Sequence, residues 1–192
     1  NDTVPPGTPP RGIERSAKKP RAHLRVATQL WREKRKNTAM AIYHLTMKPI
    51  ARNSGRSAVA AAAYRSGQDL VNERDGQRHD FTRRGGVDHT EIVLPPSVQA
   101  SWAQDRSALW NAAESAEQRK DARVAREIEV SLPHELTPEQ RLALTRGFAQ
   151  DLAERFGVAV DFAIHAPHAP TDERNHHAHL MLTTRRIEQD GL

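Results

Sequence analysis

Apolar and polar side chains alternate most regularly in three stretches of the chain. Each alternation predicts a strand, because successive strand side chains point to opposite faces. Over residues 125–133, Ile128, Val130 and Leu132 fall on one side and Glu127, Glu129 and Ser131 on the other. Over 158–165, Val158, Val160, Phe162 and Ile164 form the apolar side, opposite Ala159, Asp161, Ala163 and His165. Over 175–182, Ala178, Leu180 and Leu182 form it, opposite His177, His179 and Met181. Two less regular runs also read as strands: 41–47, opened by Met40, and the short 91–94, stopped by Pro95 and Pro96.

Between these strands the period changes. Residues 49–55 read as a loop, and Ser57 caps a helix over 58–65 that is nearly all alanine before Tyr64 and Arg65. Side chains that small let a helix lie close to a sheet. Leu109, Trp110, Ala113 and Ala116 mark one face of a second helix, over 105–119. Thr137, Pro138, Glu139 and Gln140 form a capping box with proline at the first helical position. The helix they open carries Leu144, Phe148, Leu152 and Phe156 at intervals of four and stops at Gly157. Residues 69–89 are charged and punctuated by Gly76, Gly85 and Gly86, the mark of a hairpin or mobile loop. Arg78, Arg83 and Arg84 lie there, either as phosphate contacts or as solvated loop residues. The order β-α-(loop)-β-α-β-α-β-β predicts an α+β fold, an antiparallel sheet with helices packed on one face. The histidine-bearing side would then be the solvent-facing one.

That side holds the candidate chemistry. His177 and His179 lie about 7 Å apart along one strand face, near enough for both to reach one metal ion. If the strands over 158–165 and 175–182 are neighbours, His165 joins them. A lone His-x-His does not make a metal site, since strand histidines are ordinarily packed or hydrogen-bonded. A third imidazole on the adjacent strand changes the picture: three neutral nitrogens form an open site with positions left for a substrate oxygen. His168 follows Pro167 in the intervening loop and His176 points to the opposite face, so both read as loop residues.

Composition narrows the alternatives. The chain has 192 residues and no cysteine, so disulfides and thiolate metal sites are excluded. No apolar run approaches membrane-spanning length and no signal peptide is visible, which predicts a cytoplasmic protein without membrane insertion. The net charge of +5 is unevenly spread. Residues 1–39 carry ten Lys/Arg against three acids, and residues 40–192 carry nineteen against twenty-one. Residues 1–39 therefore read as a basic, Pro-rich extension. Its first twenty residues are expected to be disordered, and a short basic helix over 21–36 is able to touch DNA phosphates. Met40 is the first methionine and the expected start of the domain, 40–192.

Several landmarks now stand in order: Met40, Ala41, Ile42, Tyr43 and His44; Gly55, Arg56, Ser57 and Ala58 leading to Ala62, Ala63, Tyr64 and Arg65; Ala125, Arg126, Glu127 and Ile128 with Leu132 and Pro133; Ile164 and His165; and His177, Ala178, His179 and Leu180. Over residues 40–186 this series resembles the nicking domain of MobA/MobL-type (MobQ-class) conjugative relaxases, in the HUH endonuclease superfamily. The resemblance implies an HUH/relaxase-like sandwich. It also implies a domain truncated at its C-terminal end, since family members continue beyond it. The implied reaction is site- and strand-specific nicking and religation of DNA at a transfer origin, for plasmid mobilisation. Tyr64 would be the nucleophile and would form a 5′-phosphotyrosine. A divalent ion, Mn²⁺ or Mg²⁺, would sit on His165, His177 and His179, and Glu127 would orient a histidine or handle the phenol proton, with Glu129 as the second candidate. Expected partners are single-stranded or supercoiled DNA, accessory mobilisation proteins and a coupling protein. A rolling-circle replication initiator of the same superfamily usually places its tyrosine after the histidine motif; here Tyr64 precedes it. A cupin-like metal enzyme would need more short strands and fewer helices. A non-catalytic DNA-binding module would leave the three histidines unexplained.

Overall fold

Alternating residues over 123–131, 160–165 and 177–183 place three strands side by side, and two more complete one antiparallel sheet. The computed structural model describes residues 44–167 and 174–192. The basic arm, Tyr43, His168 and the first residues of the strand expected over 41–47 lie outside the described residues. In chain order the elements are β1 (Leu45–Ala51), a 3₁₀ turn (Arg52–Ser54), α1 (Ala58–Ser66), β2 (Asp69–Asn72), β3 (Gln77–Asp80) and β4 (Val87–Val93). There follow a 3₁₀ turn (Ser101–Gln104), α2 (Arg106–Ala116), β5 (Arg123–Ser131), α3 (Pro138–Phe156), β6 (Val160–His165) and β7 (His177–Thr183). The five-stranded sheet runs β1-β5-β7-β6-β4, and β2 and β3 form a separate hairpin. Residues 69–80, within the stretch that read as hairpin or loop, are thus a hairpin.

The α+β class with an antiparallel sheet agrees with the sequence pattern, but the helices are shared between two faces. Ile128, Val160, Phe162, Ile164, Ala178, Leu180 and Leu182 pack with Ala149 and Ala153 of α3. Ala125, Ala159 and Met181, on the opposite face, pack with α1 and α2 through Ala58, Val59, Ala62, Ala63, Leu109 and Trp110. The side expected to face solvent is therefore largely roofed over. The alternation concealed this because Ala125, Ala159 and Met181 are interspersed there with polar residues, and their partners on α1 and α2 are remote in sequence.

Three readings shift for local reasons. β4 begins at Val87, inside the stretch expected as hairpin or loop, and ends at Val93 rather than running over 91–94, because Val87 and His89 pair with β6. β1 continues through Pro49 to Ala51, where a loop was expected; it is an edge strand, and an edge tolerates a residue without an N–H. In α3 the deepest line is Arg141, Thr145, Ala149 and Ala153, one residue on from the expected Leu144–Phe148–Leu152–Phe156 stripe. Leu144, Phe148 and Leu152 flank the core and Phe156 is exposed. Small residues on the contact line bring the helix close to the sheet, where the fully buried Phe162 fills the space. The capping box at Thr137 and the left-handed Gly157 close α3 as expected.

Candidate active site

β7 lies between β5 and β6, and that position assembles the site. His165 on β6 is directly opposite His177, and Ala163 is opposite His179. On the other side Glu129 of β5 is opposite His179 and Glu127 opposite Met181. His165, His177 and His179 therefore meet on one face, with ring centroids 5.3 Å (165–177), 5.1 Å (165–179) and 5.2 Å (177–179) apart. One nitrogen from each lies within 4.8 Å of the others. His165 is fully buried, while His177 and His179 are half-buried.

Each imidazole has one nitrogen anchored to an acceptor. His165 donates from Nε2 to the carbonyl of Arg65 at 2.8 Å. His177 donates from Nδ1 to the carbonyl of Asn175 at 3.1 Å, and His179 from Nδ1 to Glu127 Oε1 at 2.9 Å. Such bonds select the tautomer that turns a lone pair on the remaining nitrogen toward a metal. Among the described residues the Nδ1 of His165 is buried without a hydrogen-bond partner, which leaves it for a ligand role. Burial pushes the pKa of His165 down to about 4, so the ring is the neutral, ligating form at physiological pH. These three residues fit a divalent metal.

Glu127 is the carboxylate that reaches the histidines, on a diagonal rather than from the position directly opposite. Its Oε1 also accepts from Arg65 Nε at 2.6 Å. Burial alone would raise its pKa, but the hydrogen bonds from His179 and Arg65 outweigh that and hold it down to about 2. At neutral pH it is therefore an anion. Arg65, to which the sequence pattern attached no role, thus touches two residues of the site, His165 through its carbonyl and Glu127 through its side chain. Its one visible signal was its place beside Tyr64.

Tyr64 occupies the last turn of α1, two-fifths exposed. Its ring stands edge to face with Phe81 at 5.2 Å, and the guanidinium of Arg84 lies over it at 3.7 Å from the centroid. Being next to Arg65, it is carried on the turn of helix that docks against His165 and Glu127. His176 stays outside the cluster and serves the sheet end through its backbone, accepting from Leu132 N–H at 2.7 Å. Arg78 is engaged by Asp69 across the hairpin.

A sheet with this histidine cluster and helical tyrosine is the arrangement that the sequence resemblance implied. Residues 56–192 match the model of the MobA/MobL family, and the chain belongs to that family. It is 46% identical over 173 residues to mobilization protein MobL of Acidithiobacillus ferridurans, covering 79% of this chain and 45% of that protein. It is 35% identical over 161 residues to conjugal transfer protein TraA of Agrobacterium fabrum, covering 79% of this chain and 14% of that protein. A solved structure described as the molecular basis of vancomycin resistance transfer in Staphylococcus aureus superposes with a TM-score of 0.70 at 32% identity. That match covers 79% of this chain and 76% of the other. The chain spans less than half the length of the two relatives named first. Among the described residues no helix is long and apolar enough to cross a membrane.

Proposed function

We propose that this domain is a plasmid-mobilisation relaxase domain that nicks one DNA strand at a transfer origin and rejoins it after transfer. The observation that carries the reading is the triad of His165, His177 and His179, each anchored on its outer nitrogen, docked against the helix turn that bears Tyr64. Tyr64 attacks the scissile phosphorus: the Oη–P bond forms, the P–O3′ bond breaks, the phenol proton passes to solvent, and the departing 3′ oxygen takes one from solvent. The products are a free 3′-hydroxyl and a 5′-phosphotyrosine, whose phosphodiester energy is retained for religation. His165, His177 and His179 would hold a divalent ion, Mn²⁺ or Mg²⁺, which would supply Lewis-acid polarisation of a non-bridging phosphate oxygen. Glu127 holds the His179 ring in place and keeps Arg65 fixed beneath Tyr64. With its pKa depressed to about 2 it orients rather than accepting the phenol proton. The coupling protein and accessory mobilisation proteins belong to the same reading.

The test is the covalent product. A labelled oligonucleotide strand 3′ of the nick should migrate with the wild-type protein in a denaturing gel, in Mn²⁺ or Mg²⁺, and should not do so with Tyr64→Phe. That variant keeps the ring against Phe81, so folding and DNA binding should persist. Tyr43→Phe is the control and should keep the adduct. Cleavage without any adduct would point instead to metal-activated water and a hydrolytic nuclease unable to religate. Nicked supercoiled plasmid with attached protein separates the reading from a binding module.

A further inference from the structure

The turn that follows β3 is built against Tyr64. Arg84 N–H bonds to the carbonyl of Phe81 at 2.9 Å, closing a turn over 81–84, and Phe81 N–H bonds to the carbonyl of Gln68 at 3.1 Å, just beyond the end of α1. Gly67 ends α1 in the left-handed region, at φ 65°, and a side chain added there would be in ordinary contact with the carbonyls of Phe81 and Arg84. One turn thus delivers both the ring of Phe81 and the guanidinium of Arg84 to the Tyr64 ring. Arg84 is half-buried, and its Nε–H is buried without a hydrogen-bond partner among the described residues. A buried, unsatisfied donor on a permanent cation is costly, and an anion relieves the cost. Arg84 therefore stands over the ring of the proposed nucleophile.

From this juxtaposition we infer that Arg84 is a further functional residue of the nicking site, stacking on Tyr64 to set its ring and donating to a non-bridging oxygen of the scissile phosphate. The inference rests on the proposed transesterification. A planar guanidinium can serve both ends at once, with its carbon over the aromatic ring and its N–H edge left for the phosphate. A lysine ammonium at the same place keeps the charge but has neither plane nor fork.

The experiment is single-turnover adduct formation with a labelled oligonucleotide spanning the nick, alongside oligonucleotide affinity and circular dichroism, for wild type, Arg84→Ala and Arg84→Lys. Wild type must form the adduct; if it does not, the transesterase reading fails, independently of Arg84. Given a wild-type adduct, Arg84→Ala should slow its formation by about 100-fold, the loss typical of one removed transition-state donor, with oligonucleotide affinity close to wild type. Added guanidinium should restore much of the rate to Arg84→Ala and none to wild type, a response that a residue serving only the fold would not give. Arg84→Lys should fold and fall between the two. A wild-type rate in Arg84→Ala, or a loss that guanidinium leaves untouched, overturns the inference. Should Arg84→Ala fail to fold, Arg84→Lys decides: a reduced rate at unchanged affinity supports the role, and a wild-type rate removes it.

Discussion

Glu127 accepts two hydrogen bonds on one carboxylate oxygen, from Arg65 and from His179, which makes it the residue on which the geometry of the site turns. Its charge fixes the His179 tautomer, and its contact with Arg65 ties α1 to the sheet beside the histidines. Glu127→Gln keeps the shape but not the charge. The expected outcome is a weakening of Mn²⁺ affinity by about 10- to 100-fold, the usual effect of losing a carboxylate behind a metal-binding histidine. Titration calorimetry measures it, and unchanged affinity would remove Glu127 from that role. Glu129→Gln, by contrast, should leave affinity near wild type, although Glu129 is directly opposite His179 in register. The side chain that matters is the one α1 pulls into place.

At the scale of elements, α2 is held to β6 by a buried polar node. Asp161 receives Arg106 in a two-pronged contact, 2.8 Å at each oxygen, and also the indole N–H of Trp110 at 2.8 Å. Arg106 and Asp161 expose only 9% and 6% of their side chains, so solvent offers little compensation if one is removed. Asp161→Ala should therefore cost about 3–5 kcal/mol, the range for stranding one partner of a buried pair. Chemical denaturation reads this directly. A loss below about 1 kcal/mol, the range of exposed pairs, would show that the node is solvated after all. β6 carries His165 only four residues on, so the same variant tests how far this anchoring keeps the site in register.

For the whole molecule, acid and truncation probe different properties. The hydrogen bonds that Arg146, chiefly, and His89 make to Glu91 hold its carboxyl below the ordinary value of 4.5, although burial opposes them. The folded state then binds a proton less readily than the unfolded chain. The contribution is present above pH 4.5 and is lost as the pH falls below it. Melting temperatures from pH 7 to pH 3 should show the gap between wild type and Glu91→Gln narrowing on the acid side; a constant gap would show that Glu91 plays no part in the pH dependence. We also propose that residues 1–39 are separable from the domain. Their removal should preserve nicking of a single-stranded oligonucleotide and at most weaken its salt-dependent binding. Loss of the cooperative thermal transition on truncation would make the arm part of the fold.

Period and local chemistry were enough to read the strands that carry His165, His177, His179 and Glu127, the Ser57 cap before the Tyr64 helix and the Thr137 box before α3. These depend on alternation and on hydrogen bonds to near neighbours, which a linear chain displays. Linear order was silent wherever the partner is remote. It could not tell Glu127 from Glu129, because both point to one face and only the docking of Arg65, 62 residues away, selects between them. It treated the histidine face as open, because only packing reveals that Ala58, Ala62 and Ala63 of α1 cover its alanines and Met181. It offered Leu144, Phe148, Leu152 and Phe156 as the contact line of α3, where closeness to the sheet favoured Thr145, Ala149 and Ala153. And it left Arg84 as one loop arginine among three, since a cation over an aromatic ring is a relation between surfaces that meet only after the chain has folded.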